Sequence, residues 1–286
     1  MNAPTTSLQL SSRPLGSFGI ELQGIDLARP LSQAEFEDIE RRFYDAHLLV
    51  VRGQRLNADQ FHSWASRFGR PEPHVINQFH HPDIADILVL SNVVKGGVPQ
   101  GLADAGTYFH TDYSYLAKTA RATTLYSIEV PKVGGDTLFA DQCAAWDDLP
   151  SDMKSRLENL RVRHHYGNRD DLNEQSRTVA SVLNDEQKNK MSWVHHPLVL
   201  THWFTGRKAL YSVSGSSFGI EGMVDQEGRE LLDELKAHST HPRYQYRLSY
   251  GPGDVVIWDN AALLHSATLT DPQYARTLWR ITVKAP

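Results

Sequence analysis

The chain has 286 residues, of which 40% are hydrophobic and 22% are charged, with a formal net charge of -5 and a single cysteine, Cys143. The hydrophobic fraction is that of a folded protein, whereas the apolar runs are too short for a membrane span of about 20 residues and the polar N-terminus lacks a secretory signal's apolar core. The acidic balance argues against nucleic acid as a partner, and one cysteine excludes an internal disulfide or a cysteine-held metal cluster and favours a cytoplasmic location.

The first elements are predicted to be helical. Phe36, Ile39 and Phe43 fall on one helical stripe, and Ser32 with Glu35 three residues later forms the signature of a capping box. A short apolar strand at Leu48–Val51 and a second helix over residues 58–68 come next. We expect a single domain over residues 1–286, in which residues 1–14 are a loosely ordered lead-in.

Beyond residue 69 the pattern changes to short segments that are rich in β-branched and aromatic residues and are separated by Gly, Pro, Asn or Asp. One further helix is predicted over residues 225–238. The predicted strands are residues 87–93, 122–130, 208–213, 244–250, 254–258, 261–267 and 277–283. This pattern favours a mainly β fold with flanking helices around a closed or double-sheet core, rather than a doubly wound α/β fold.

Among the 14 histidines, His110 stands two residues before Asp112. On an extended strand these two side chains point to the same side, so with one more histidine they could hold one face of an Fe(II) ion. A second His-x-Asp pair, His81 and Asp83, encloses Pro82 and reads as a turn. The motif alone is equally compatible with a purely structural role for His110 and Asp112.

Two arginines near the C-terminus share one face of a predicted strand. Arg276, Leu278 and Arg280 are spaced by two, and His265 lies on the strand before them. Two inward guanidinium groups are costly to bury unless they meet anions, and the arginine fork suits carboxylates. The alternative is a solvated strand face.

At these positions the chain resembles the taurine and 2,4-dichlorophenoxyacetate dioxygenase family of Fe(II)/2-oxoglutarate enzymes. The resemblance extends from about Leu15 to Val283 and follows an ordered set of motifs. These are His110-x-Asp112, Gly134-Gly135-Asp136-Thr137, Trp258-Asp259-Asn260 leading to His265, and finally Arg276 and Arg280.

The resemblance implies a double-stranded β-helix, or jelly-roll, core. It also implies that His110, Asp112 and His265 are the metal-binding and catalytic residues, with Fe(II) as cofactor and O2 and 2-oxoglutarate as co-substrates. Arg276 and Thr137 are expected to bind the distal carboxylate of 2-oxoglutarate, which is converted to succinate and CO2 as the substrate is hydroxylated.

By the same resemblance, Arg280 suggests a small anionic organic substrate, a sulfonate or a carboxylate, and His74 aligns with a substrate-contacting histidine. The chain departs from taurine oxidisers at Gly106 and at Asn77, which puts taurine in doubt and leaves room for an aromatic acid. The expected walls of such a pocket are Tyr113, Tyr115 and Phe218.

Two alternatives remain open from the sequence: a zinc hydrolase built on the same three ligands, and a non-catalytic jelly-roll protein that captures an anion. The first leaves Arg276 and Thr137 without a role. A homo-oligomeric state is also left open, and residues 77–104 and 165–190 are candidate lids over the site.

Overall fold

The computed structural model describes residues 10–103, 105–166, 184–189, 191–211, 213 and 215–284. The fold is mainly β with flanking helices, as predicted. The helices are α1 Gln33–Ala46, α2 Ala58–Ser66, α3 Gln142–Asp147, α4 Ser151–Leu157, α5 Asp185–Asn189 and α6 Asp225–Ser239. The strands are β1 Ser11–Pro14, β2 Ile20–Gln23, β3 Leu48–Val51, β4 Arg70–Pro71, β5 Leu88–Ser91, β6 Val94–Lys95, β7 Val98–Pro99, β8 Ala120–Glu129, β9 Thr137–Asp141, β10 Arg161–His164, β11 Val194–Pro197, β12 Val199–Thr201, β13 Lys208–Leu210, β14 Ser217–Ile220, β15 Gln245–Leu248, β16 Val255–Asp259, β17 Leu263–Ala267 and β18 Thr277–Lys284.

Helix α1 begins where the capping box predicts. The Ser32 side chain accepts a hydrogen bond from the backbone N–H of Glu35, and the Glu35 carboxylate accepts one from the backbone N–H of Ser32. Its apolar stripe, which contains Phe36, Ile39 and Phe43, is buried against the large sheet.

The large sheet has the strand order β1-β2-β3-β16-β8-β18-β4, and β5 pairs with β18 beside β4. Strands β3 and β16 are buried on both faces, which explains their continuous apolar sequences. On one face, Leu49 and Ile257 pack in the cluster under α1 and α2. On the other face, Val50 and Trp258 pack with Phe139 of a smaller sheet.

The smaller sheet has the order β15-β9-β17, and it faces the inner side of the large sheet across this second cluster. Together the two sheets form the jelly-roll core. Helices α3, α4 and α6 pack with β10, β12 and β14 on a third cluster behind the small sheet. The candidate site residues meet in a cavity lined by residues of both sheets.

Two expectations need correction. Residues 11–14, expected in a loose lead-in, form β1, because their backbone pairs with β2 in antiparallel register; residues 1–9 lie outside the described residues. Strand β9, which carries Thr137, was not predicted as a strand, and it is formed by pairing with β15 and β17 on its two sides.

Among the described residues, no helix combines the length and the apolar character that crossing a membrane would require. The predicted lid over residues 165–190 falls largely outside the described residues, because residues 167–183 and 190 are not among them.

Candidate active site

His110 and His265 lie directly opposite each other. His265 is on β17, and the backbone N–H of each residue donates to the carbonyl oxygen of the other at 2.9 Å. The sequence predicts an extended strand through residues 110 and 112, but the chain pairs only at His110 and enters a turn at Asp112. Tyr113 in this turn has a left-handed φ of 55°. The turn nevertheless brings Asp112 beside both imidazoles.

The candidate ligand atoms of these three side chains all lie within 4.8 Å of one another. His110 Nε2 is 3.8 Å from Asp112 Oδ1, and His265 Nε2 is 3.7 Å from Asp112 Oδ2. Asp112 and His265 are buried, and His110 is half-buried. Two imidazoles and one carboxylate are the donor set that non-haem Fe(II) takes on one face, so the residues fit a ferrous ion.

The protonation of the histidines also suits metal binding. His110 Nδ1 lies 2.7 Å from the carbonyl oxygen of Tyr108, and because a carbonyl only accepts, Nδ1 carries the proton and Nε2 keeps its lone pair. Burial lowers the pKa of His110 and lowers that of His265 well below its usual value. Both rings are therefore neutral, as metal ligands must be.

Asp112 is held as a carboxylate. Burial by itself works to raise its pKa, but the Arg280 guanidinium, together with a hydrogen bond from the Thr123 hydroxyl, keeps that pKa well below its usual value. The Arg280 Nη2 atom lies 2.9 Å from Asp112 Oδ1. The site thus contains a charged carboxylate over the whole neutral pH range.

Arg276 and Thr137 line the cavity that also contains His110, Asp112 and His265. Arg276 donates from Nε to the carbonyl oxygen of Gly135 at 3.0 Å, and its backbone N–H donates to the Asn92 side chain at 2.9 Å. Thr137 Oγ1 lies 2.8 Å from the hydroxyl of Tyr250. Gly135 has a φ of 67°, and a Cβ there would lie 2.8 Å from Arg276 Cδ. The absence of a side chain at Gly135 therefore leaves the space that the arginine needs.

Arg280 stands beside the triad at the same cavity. Its side chain is only 12% exposed, and Nε and Nη2 both donate to Thr282 Oγ1 at 3.2 Å. Its guanidinium carbon lies 5.8 Å from the centre of the Tyr113 ring. The cavity joins the triad, Arg276 and Thr137 with a largely aromatic and aliphatic wall. That wall includes Tyr108, Tyr113, Tyr115, Tyr166, Leu90, Leu102, Leu125 and Trp258.

The family model described as "Taurine catabolism dioxygenase TauD, TfdA family" matches residues 11–282. The chain belongs to this family. It is 37% identical over 282 residues to the alpha-ketoglutarate-dependent 2,4-dichlorophenoxyacetate dioxygenase of Cupriavidus pinatubonensis, covering 94% of each chain. It is 31% identical over 277 residues to the (S)-phenoxypropionate/alpha-ketoglutarate-dioxygenase of Sphingobium herbicidovorans, covering 92% of this chain and 90% of that protein.

Among solved structures, AAD-2 in complex with Mn(II) and N-oxalylglycine is similar with a TM-score of 0.79 and 28% identity, covering 97% of this chain and 98% of that one. This TauD/TfdA-family protein is therefore a 2-oxoglutarate-dependent non-haem iron dioxygenase. Its cofactor is Fe(II), and 2-oxoglutarate and O2 are its co-substrates. The zinc hydrolase and the non-catalytic anion-binding protein are set aside.

Two of the predicted substrate residues of this dioxygenase, His74 and Tyr115, line the cavity. His74 Nδ1 accepts a hydrogen bond from the backbone N–H of Ile76 at 3.2 Å, and burial, with Arg280 adding to it, lowers the pKa of His74 to about 3. The ring is therefore neutral, with its proton on Nε2. The buried hydroxyl of Tyr115 has no hydrogen-bond partner among the described residues.

Phe218, the third expected wall residue, does not reach the cavity. It lies on β14 and packs edge-on against Trp193, with ring centres 5.2 Å apart, and against His165. Ser216, just before the strand, lines the cavity instead. The expectation for Phe218 is thus corrected: Tyr166 supplies the aromatic surface that it was expected to give.

Sequence reasoning missed several residues that the structure brings to the site. Tyr108 and Tyr166 line the cavity, and Tyr250 contacts Thr137. Thr123, whose hydroxyl donates a hydrogen bond to Asp112, was also missed. The strand period could have indicated it, because it lies on β8 on the same inward face as Leu125. For Tyr166 no local signal exists, since only the fold brings it near residue 115.

Proposed function

We propose that this dioxygenase hydroxylates a small organic anion with an aromatic body, and that aryloxyalkanoic acids are its best substrates. The observation that supports this most strongly is that the triad of His110, Asp112 and His265 shares one cavity with the buried Arg280 and four tyrosines. The positive charge suits a carboxylate or a sulfonate, and the tyrosines suit an aromatic ring.

In this proposal, His110, Asp112 and His265 hold the metal, and Arg276 and Thr137 bind the distal carboxylate of 2-oxoglutarate. Arg276 provides a charge-assisted fork, while the Thr137 hydroxyl adds a neutral hydrogen bond. The bound Fe(II) supplies the activation of O2 that is coupled to decarboxylation of 2-oxoglutarate to succinate and CO2.

Arg280 is proposed to bind the substrate anion. The described contacts of its guanidinium use Nε and Nη2, which donate to Thr282 and pair with Asp112. Since a guanidinium carries five N–H donors, Nη1 is left to donate to an incoming carboxylate. A neutral His74, with its proton on Nε2, can donate a further hydrogen bond to the same anion.

The aromatic wall supports a ring-containing substrate. Tyr113 and Tyr115 pack edge-on at 5.8 Å, and Tyr115 and Tyr166 pack edge-on at 4.6 Å. Such walls favour an aromatic guest by edge-to-face contact as well as by burial. Two family members with full-length similarity are named for 2,4-dichlorophenoxyacetate and (S)-phenoxypropionate, which are aryloxy acids.

With an aryloxyacetate, the hydroxyl group enters at the carbon between the ether oxygen and the carboxylate. One oxygen atom of O2 enters that C–H bond, and the other leaves in succinate. In the resulting hemiacetal the C–O bond to the aryl ether oxygen breaks. The aryl fragment leaves as a phenol, and the two-carbon fragment leaves as glyoxylate. The chain's own contribution is to hold the carboxylate at Arg280 and to exclude water with the aromatic wall.

The test compares phenoxyacetate with 2-phenoxyethanol, which keeps the ring and lacks the charge, in wild type, Arg280→Gln and the surface control Arg243→Gln. Succinate and phenol release give kcat/KM for each compound. We expect the acid-over-alcohol preference to fall about 10–100-fold in Arg280→Gln, the range of a charge-assisted bond, and to stay unchanged in the control.

An unchanged preference in Arg280→Gln would refute the anion-binding role. Because Arg280 also pairs with Asp112, the Mn(II) dissociation constant of each variant is measured beside the kinetics. A panel of alkyl sulfonates and alkyl sulfates in the same assay decides between carboxylate and sulfur-containing anions. The cytoplasmic location, the homo-oligomeric state and the single domain over residues 1–286 stay predictions.

A further inference from the structure

Asp112 is held, at its carboxylate and at its backbone, by two segments of the chain that are distant in sequence. Its Oδ2 atom accepts a hydrogen bond from Thr123 Oγ1 at 2.6 Å, and its backbone N–H donates to Asn260 Oδ1 at 3.2 Å. Thr123 lies on β8, and Asn260 is in the turn after β16. All three residues are at most 4% exposed, so water does not compete for these contacts.

The direction of each hydrogen bond follows from the chemistry of the groups. Asn260 Oδ1 accepts from Asp112, so its Nδ2 donates to Thr123 Oγ1, at 3.0 Å. Thr123 then accepts from Asn260 and sends its own hydrogen to the carboxylate, which can only accept. Asn260, Thr123 and Asp112 form a relay with one orientation.

The turn that carries Asn260 is itself fixed by buried charge. Asp259 Oδ2 lies 2.6 Å from His202 Nε2, and His202 Nδ1 accepts from the backbone N–H groups of Phe204 and Thr205. His202 therefore donates from Nε2 to Asp259, and both side chains are fully buried. Neither residue lines the cavity, so their contacts serve to hold the turn.

We propose that Thr123 and Asn260 are positioning residues for Asp112: the relay sets the plane of its carboxylate between the two imidazoles and thereby sets the metal affinity of the site. The inference rests on the proposed function, since it takes Asp112 as a ligand. Partners that orient a ligand typically contribute 10–100-fold in metal affinity or activity.

The test titrates the full chain, freed of metal by chelation, with Mn(II) alone and follows free Mn(II) by electron paramagnetic resonance. Thr123→Val removes the donor at nearly constant shape, and Thr123→Ser restores it. Thr124→Val is the matched control, because Thr124 is buried on the same strand but on the face that packs against the helices with Ala122 and Tyr126. Thermal melts verify that each variant is folded.

We expect the Mn(II) dissociation constant to rise 10–100-fold in Thr123→Val and to stay within about threefold of wild type in Thr123→Ser and Thr124→Val. If the two residues act as one relay, Thr123→Val adds no further loss to Asn260→Ala. A multiplicative loss would overturn the relay.

Wild-type affinity in folded Thr123→Val, or equal loss in Thr123→Ser, would overturn the positioning role while leaving the proposed function intact. A wild-type chain that binds no Mn(II) would instead overturn the ligand set, and this inference with it. The two failures are thus distinguished by the wild-type titration alone.

Discussion

Gly106 lies close to the imidazole of the candidate metal ligand His110, and its replacement by alanine should weaken metal binding more than it weakens the fold. A Cβ at this position would lie 2.6 Å from His110 Cε1 and 3.1 Å from Nε2. Carbon atoms in good contact are about 3.5–4.0 Å apart, so the ring or the glycine must move by about 1 Å. The glycine is tethered, since its carbonyl oxygen accepts from the backbone N–H of Ala267 at 2.8 Å.

A displacement of about 1 Å exceeds the roughly 0.2 Å within which metal–ligand distances are normally held. We therefore expect Gly106→Ala to raise the Mn(II) dissociation constant at least tenfold, which corresponds to about 1.4 kcal/mol. The folded state of the variant is also destabilised through its backbone, because Gly106 has a φ of +70°, a conformation that costs an alanine about 1 kcal/mol.

Gly97→Ala separates the two effects. Gly97 has a φ of +80° and no atom within 4 Å of an added Cβ, so it shares the backbone penalty without the collision. Mn(II) titration and thermal melts of both variants form the assay. Similar melting temperatures with weak metal binding only in Gly106→Ala support the reasoning, and equal metal affinity in the two variants refutes it.

Two further predictions concern co-substrate binding and pH. Tyr250→Phe should raise KM for 2-oxoglutarate about tenfold with little change in kcat, because the Tyr250 hydroxyl lies 2.8 Å from Thr137 Oγ1 and orients it; an unchanged KM would contradict this. The hydrogen bond from Arg13, against the opposing effect of burial, lowers the pKa of Glu21 to about 2. Its stabilising contribution is therefore complete above pH 4.5 and is lost as pH falls toward 2. The free energy of unfolding of the wild type, measured with urea, should be higher at pH 6 than at pH 3. After allowance for the solvent exposure of Arg13, Glu21→Gln should reduce this difference by about 1 kcal/mol. An equal difference in the wild type and the variant would contradict the prediction.

Much of the fold could be predicted because its signals are local. Apolar runs such as Leu48–Val51 are buried on both faces, and the predicted and observed bounds of that strand coincide. Strand β9 was missed because five residues between two glycines and a helix carry little periodic signal. Its strand conformation is imposed by β15 and β17, which pair with it from distant parts of the chain.

The three candidate ligand residues are oriented by three different kinds of interaction, and this explains which of the three positions the sequence could predict. His265 lies on a regular strand, and its ring packs 4.6 Å from that of Trp258, while its buried Nδ1 has no partner among the described residues. Packing on a strand is readable from periodicity. His110 is oriented by the carbonyl oxygen of Tyr108, only two residues away.

The orientation of Asp112 depends on contacts that are not local in sequence. Asp112 leaves the predicted strand at a turn, and it is oriented by Thr123, which is 11 positions away in the sequence, and by Asn260, which is 148 positions away. No pattern around residue 112 contains that information. A buried polar relay must also be complete, because a single missing donor leaves its partners unsatisfied in a medium where that is costly. Asp112 should therefore be the residue of the candidate triad whose function is most sensitive to substitutions at positions that contact neither the metal nor the substrate.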